Sequence, residues 1–157
     1  MKKNLFLSTV LSMKEEGISD HEIVSQINML EDFEQRDFDG RTLLVNAAAC
    51  GRENVVNFLI EKGVDVHTRD VSGFTALHAA VMSNNIKVVS LLVAAGCDVN
   101  ATNQWGNNPL FVGNLETDLR IINLLVKCGA DPTHKNHYGV SAKDKFLCSS
   151  EISNCFT

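Results

Sequence analysis

The sequence predicts an all-α solenoid of stacked helix-turn-helix units, with projecting β-turn fingers and capping units at both ends. Three observations predict it. Glycines recur at Gly40, Gly73, Gly106 and Gly139, each 33 residues after the last, and a second series, Gly63, Gly96 and Gly129, keeps the same interval. The text around the first series repeats as Asp37-Phe-Asp-Gly40, Asp70-Val-Ser-Gly73, Asn103-Gln-Trp-Gly106 and Asn136-His-Tyr-Gly139. Aliphatic clusters keep step, as Val55-Val56-Asn57-Phe58-Leu59, Val88-Val89-Ser90-Leu91-Leu92 and Ile121-Ile122-Asn123-Leu124-Leu125. A fixed period of this length marks units that cannot bury an apolar face alone and must stack on neighbours.

Residues 1–36 read as a helical N-terminal cap. Leu7, Val10, Leu11 and Lys14 fall at helical spacing. Ser8, Thr9 and Ser12 interrupt the apolar stretch, and Lys14-Glu15-Glu16 ends it too soon for a secretory signal. Ser19 with Glu22 forms a capping box ahead of Ile23, Val24 and Ile27. Repeats over 37–69, 70–102 and 103–135 follow, and residues 136–157 form a C-terminal capping unit, the whole chain being one domain. Terminal units are expected to be atypical, because their outer faces meet water.

The second repeat shows the physics of one unit. Asp70 to Gly73 is a tight turn, with glycine supplying a positive φ. Thr75 stands ready to cap a first helix, Ala76 to Ser83, in which Ala79 and Ala80 allow close helix approach. Asn84-Asn85 breaks the run, since asparagine tolerates the left-handed conformation. A second helix, Ile86 to Ala95, places Val88, Val89, Leu91 and Leu92 on its buried side, and Gly96 ends it.

The stretch Gly73-Phe-Thr-Ala-Leu-His-Ala-Ala80, closing with Gly96-Cys-Asp-Val-Asn100, resembles the ankyrin repeat. The 33-residue length and the Thr-x-Leu-His core are that family's marks, and the resemblance covers residues 37 to about 147. It implies an ankyrin-repeat solenoid that binds protein partners on a concave face of finger tips and first helices. It also gives His78 a structural role, tying neighbouring turns together. The other copies depart from the pattern. Thr42-Leu43-Leu44-Val45 lacks the histidine, Asn108-Pro109-Leu110-Phe111 has asparagine for threonine, and Val112-Gly113-Asn114 replaces the alanines. Thr117 stands where a turn glycine is expected, which predicts a distorted hairpin around Leu115 to Asp118. The last copy, Gly139-Val-Ser-Ala-Lys-Asp144, has the look of a closing unit.

Composition narrows the function. Hydrophobic residues make up 45% and charged residues 21%, which is the balance of a folded globular chain and not a disordered one. A net charge of -5 without a basic run argues against nucleic acid. No apolar segment is long enough to span a membrane. The five cysteines, Cys50, Cys97, Cys128, Cys148 and Cys155, are scattered without a Cys-x-x-Cys pair, and read as buried free thiols in a reducing, cytoplasmic setting. His67, His134 and His137 have no cysteine or carboxylate at zinc-ligand spacing and read as solvated loop residues. No nucleophile elbow, phosphate loop or His-Glu-x-x-His is present, so neither catalysis nor a metal or other cofactor is expected.

The expected binding surface is aromatic. Trp105 and Tyr138, the chain's one tryptophan and one tyrosine, hold matching turn positions. Phe38 falls in the first turn and Phe74 just after Gly73, so four rings are expected along four successive tips. Tryptophan and tyrosine are enriched at binding hot spots. Any one ring can instead pack on its neighbouring finger, but for Trp105 and Tyr138 the partner reading is preferred. Asp39, Arg41, Arg69, Gln104 and Asn107 form a polar rim, and Met82, Leu115 and Glu116 are expected deeper in the concave face.

The partner is expected to be a protein, with the chain monomeric when free. Trp105-Gly-Asn-Asn-Pro-Leu110, Gly129-Ala-Asp-Pro132 and Lys135-Asn-His-Tyr-Gly-Val-Ser141 look like small stand-alone bacterial ankyrin proteins. Several of these are similar to immunity proteins, which implies binding and neutralising a cognate toxin or effector enzyme. The alternative is a scaffold or regulatory adaptor, including one acting on a eukaryotic host protein.

Overall fold

A side-chain oxygen folds each finger. Asp37, Asp70, Asn103 and Asn136 each accept, on Oδ1, the backbone N–H groups two and four residues further on, at 2.8–3.1 Å. Such local bonds hold a turn that would otherwise be one conformer among many. Four fingers follow, and they hold one another: Val71, Gln104 and His137 donate their N–H groups to the carbonyls of Asp39, Ser72 and Trp105. The glycine after the tip is needed twice. Gly106 has φ +75°, and a Cβ there would lie 2.8 Å from the His137 ring and 3.0 Å from its nitrogen.

This architecture is seen in a computed structural model that describes residues 2–114, 116–146 and 154–156. The helices are α1 (Lys2–Lys14), α2 (Asp20–Ile27), α3 (Leu43–Ala49), α4 (Glu53–Glu61), α5 (Ala76–Met82), α6 (Ile86–Ala94), α7 (Pro109–Val112), α8 (Leu119–Lys127) and α9 (Ala142–Phe146). Helices α1, α3, α5, α7 and α9 pack in one row, and α2, α4, α6 and α8 in a second. A 3-10 turn, Asn154–Phe156, packs on α8. The chain is therefore an all-α solenoid of stacked helix pairs with projecting turns.

The repeated apolar letters form the core. Val55, Val88 and Ile121 are fully buried, as are their followers Val56, Val89 and Ile122, and then Leu59, Leu92 and Leu125. Each buried side chain of this size contributes about 1.5–3 kcal/mol by leaving water. Leu91, expected with them, is only half-buried, because it lies off the stripe facing the next pair. Both helices of the second unit end one residue earlier than expected. Asn84 has φ +53° and so takes the left-handed turn, whereas Asn85 is extended and caps α6 with its side chain.

The N-terminal cap is joined through one arginine. The Ser19–Glu22 capping box forms, and Ile23 and Ile27 are fully buried. Arg52, in the turn between α3 and α4, donates to the carbonyls of Met13, Glu15 and Ile18 and pairs with Asp20. It thereby satisfies the Met13 carbonyl in the last turn of α1 and two carbonyls of the connection to α2.

The third unit is irregular, as Thr117 suggested. Helix α7 has four residues and stops at Gly113, which has φ -57° instead of a left-handed turn. Thr117 accepts the Asn114 N–H on Oγ1 and closes the hairpin. Lys145 reaches from α9 to the carbonyls of Phe111 and Gly113 and covers the Phe111 ring. Burial lowers its pKa.

The thiol expectation needs correction. Cys97 is buried, Cys50 and Cys155 are half-buried, and Cys128 is exposed, because it follows the last turn of α8 on its solvent side. Cys148 lies outside the described residues.

Candidate protein-binding groove

A groove runs over the inner faces of α3 and α5 and the fingers beside them. Its floor is Val45 and Ala49 from α3 with Ala79, Met82 and Ser83 from the α5 segment. Phe74 and Trp105 form one wall, and Arg41, Asp70 and Ser72 close the finger end. The space is about 500 Å³ and largely apolar in lining. A concave apolar site with a few convergent polar groups is the usual form of a recognition pocket.

Small residues make the depth. Ala49 and Ala79 stop short of the groove that longer side chains would fill, and Met82, exposed beside them, is an adaptable apolar edge. Phe74 and Trp105 support each other, their rings 6.0 Å apart and near perpendicular. Phe74 also rests on His78, at 5.2 Å. This corrects the picture of four rings standing free in a row. Phe74 is half-buried and Trp105 is 37% exposed, whereas Phe38 at 89% and Tyr138 at 74% stand clear. Ring packing between adjacent fingers therefore coexists with free rings at the two ends.

Behind the wall, His78 is fully buried and locks two fingers. Its Nδ1 accepts the Thr75 N–H at 3.2 Å, so the proton sits on Nε2, which donates to the Asn107 carbonyl at 3.0 Å. Thr75 Oγ1 completes the cap at 2.9 Å from Nδ1. Desolvation pushes the His78 pKa down to about 4; the nearby Arg69 charge adds to this, while the Asn107 bond and the Asp70 and Asp98 carboxylates oppose it. The structural role expected of His78 is what its bonds show.

The charged end is also pre-ordered. Asp70 is nearly fully buried; its Oδ1 takes the turn N–H groups and its Oδ2 accepts Arg41 Nε at 3.4 Å. Arg41 Nη1 approaches the exposed Asp39 at 3.8 Å. The guanidinium is thus held beside the groove with an outer edge turned to solvent.

Several expected rim residues are committed elsewhere. Arg69 donates to the carbonyls of Gly73 and Thr102, as Arg36, 33 residues before it, does to those of Gly40 and Arg69. Asn107 gives its carbonyl to His78 and its side-chain oxygen to Asn136. Both are bracing residues between fingers. Gln104 is exposed, and its backbone joins the finger ladder. Glu116 is exposed at the hairpin after α7, where its carbonyl accepts from Asn84. Leu115 lies outside the described residues. His134, expected to be solvated, bonds the Gly106 carbonyl through Nε2 at 3.0 Å.

The expected set placed together at the groove is Arg41, Phe74, Met82 and Trp105. Val45, Ala49, Asp70, Ser72, Ala79 and Ser83 join them unforeseen. Val71, 73% exposed at the tip position matching Phe38, was also missed. The 33-residue register held that signal, since Phe38 and Val71 share a column.

Among the described residues, no three or more histidine, cysteine or carboxylate groups converge to hold a metal ion. No helix among them is long and apolar enough to cross a membrane. The family model for ankyrin repeats, in three copies, matches residues 15–103 and 64–136. No curated protein matches the chain.

Proposed function

The chain belongs to the ankyrin-repeat family, and from that premise we propose that it is a stoichiometric inhibitor, an immunity-type protein that neutralises a toxic enzyme by occupying its surface. Ankyrin repeats make it a protein–protein interaction module, and members of the family are generally non-enzymatic. The observation that carries the reading is the apolar groove between α3 and α5, with a braced aromatic wall and an oriented arginine at one end. A rigid site of this kind loses little entropy when a partner fills it, which favours tight binding over transient contact. Control of a lethal enzyme requires roughly nanomolar affinity, or about -12 kcal/mol.

The test uses the intact chain as bait in its source lysate, beside a Trp105→Ala, Tyr138→Ala double variant whose fold is checked by circular dichroism. The expected result is one enzyme captured by the parent, lost by the variant, and inhibited at one-to-one stoichiometry when purified. Equal capture by a folded variant would remove the aromatic surface from the proposal. A captured protein whose activity is unchanged by saturating chain would replace inhibition with scaffolding.

A further inference from the structure

We propose that Asn103, at the base of the third finger, donates its free side-chain N–H to a backbone carbonyl of a linear partner segment lying along Phe74 in the groove. Binding at this amide rests on the groove reading and supplies the polar bond made inside it.

The four fingers share one device, and the third leaves it incomplete. In each, the residue at the base of the turn uses Oδ1 for two backbone N–H groups and keeps one side-chain atom over. Asp37 Oδ2 accepts from Asn46 Nδ2 at 2.9 Å, nine residues further on. Asp70 Oδ2 accepts from Arg41 Nε at 3.4 Å, and Asn136 Nδ2 donates to Asn107 Oδ1 at 2.8 Å, each reaching 29 residues back. For Asn103 the same two stations hold Val112 and Phe74, whose side chains carry no acceptor. Its Nδ2 is buried without a hydrogen-bond partner, in a residue only 5% exposed. Turning the amide over is no remedy, because Oδ1 already accepts from Trp105 and Asn107. An unpaired buried donor destabilises the fold. An asparagine at position 74 would satisfy it, as the asparagine at 107 does for Asn136.

The residue that withholds the bond is a wall of the groove. Phe74 lines it and meets Trp105 near perpendicular, at 6.0 Å. A local rule broken at a concave apolar site is where a side chain serves binding and not the stack. Phe74 is only half-buried, with the groove's space beside it, so its ring can turn aside by a fast rotamer change. That turn opens the Asn103 donor towards the groove. A backbone carbonyl is the acceptor that suits it. The donor is neutral and its two stations are apolar, so a carbonyl is desolvated there at far less cost than an ionised carboxylate. Ala49, Ala79 and Met82 then take the apolar side chain next to that carbonyl.

The test is selection of a random linear peptide library of about 12 residues on the full chain. Selected peptides carry a fluorescein label and are titrated by anisotropy, so parent and variants are read in the same way. Asn103→Asp keeps the Oδ1 acceptor, as Asp37 and Asp70 do, but removes the donor. Phe74→Asn satisfies the donor from within the chain, whereas Phe74→Leu leaves it free beside an apolar wall. With folding checked by circular dichroism, Kd should weaken about tenfold or more in Asn103→Asp and Phe74→Asn, and only about threefold in Phe74→Leu. In NMR spectra of the isotope-labelled parent, the Asn103 side-chain amide protons should move downfield as peptide is added. That second readout stands even if Asn103→Asp fails to fold. Peptides that bind Asn103→Asp as they bind the parent, or that leave the Asn103 amide resonance in place, overturn the proposal. If those same peptides are lost on Trp105→Ala, the groove survives and only the Asn103 bond falls. If they bind Trp105→Ala unchanged, the groove reading falls with it, and a selection that yields no binder overturns the linear segment.

Discussion

Lowering the pH should loosen the array through one imidazole. His78 is fully buried, and its Nδ1 lone pair accepts from Thr75 while its Nε2 proton serves Asn107. Protonating Nδ1 turns that acceptor into a donor facing a backbone N–H, inside a site that excludes water. Folding therefore holds the ring neutral, with a pKa of about 4 against 6.5 when unfolded. Because the folded value is the lower one, the unfolded chain takes up the proton first, and stability falls as pH drops from 6.5 towards 4. Above pH 6.5 the group costs nothing. At pH 5 the loss is about 2 kcal/mol, and below pH 4 it levels off at about 3 kcal/mol. Urea unfolding at pH 7.5 and pH 5.0, followed by circular dichroism, measures the difference. The control is His78→Gln, whose amide can occupy the capping position without titrating. The variant should be less stable at pH 7.5 but should lose about 2 kcal/mol less than the parent between the two pH values. The exposed histidines and the carboxylates are common to both proteins and cancel. Equal losses in parent and variant would show that His78 is not the neutral lock described.

Arg52→Ala should free the N-terminal cap, costing about 2–3 kcal/mol for its charged hydrogen bonds, and hydrogen exchange should accelerate in residues 2–30 well before the repeats. Gly106→Ala should destabilise by more than Gly129→Ala. Both positions have positive φ, but only at Gly106 does the next finger stand within 3.0 Å of the new Cβ, so a difference of about 1 kcal/mol or more in thermal unfolding is expected. Among the thiols, Cys128→Ser should remove about one fast-reacting group per chain in a disulfide-exchange assay. Cys97→Ser should leave that fast phase unchanged, because burial foremost, aided by Asp65 and Asp98, pushes the Cys97 pKa up to about 12.

The fold was legible because periodic burial writes itself into periodic letters. Val55, Val88 and Ile121 are separated by 33 residues and have the same environment. The Ser19–Glu22 box was legible because the chemistry of a helix start is local. Contacts between units left weaker traces. Arg69 reads from sequence as a solvent-facing rim residue, whereas it braces Gly73 and Thr102, the role that Arg36 plays one period earlier. The turn residues Asp37, Asp70, Asn103 and Asn136 are visible as repeated text, and their side-chain oxygens hold the turns as much as the glycines do. Arg52 and Lys145 carry no periodic mark at all. Each repairs an irregular joint, one at the cap and one at the short α7, and a repair is specified by the defect it meets.

The groove was the least legible feature, because it is made of atoms the sequence lacks. Along the inner helices one column reads Val45, His78, Phe111 and another reads Asn46, Ala79, Val112. A strict repeat would carry the same groove between every pair of units. The first column gains bulk towards the C-terminus and the second is smallest at Ala79, which lines the open groove, whereas one unit on, Val112 and Phe111 are half-buried and Phe111 lies under Lys145. Depth is thereby concentrated between the first and second units. Periodicity explains why the chain stacks. The groove keeps the small Ala79 of the regular second unit, and the broken third unit carries the bulkier Val112 in the same column.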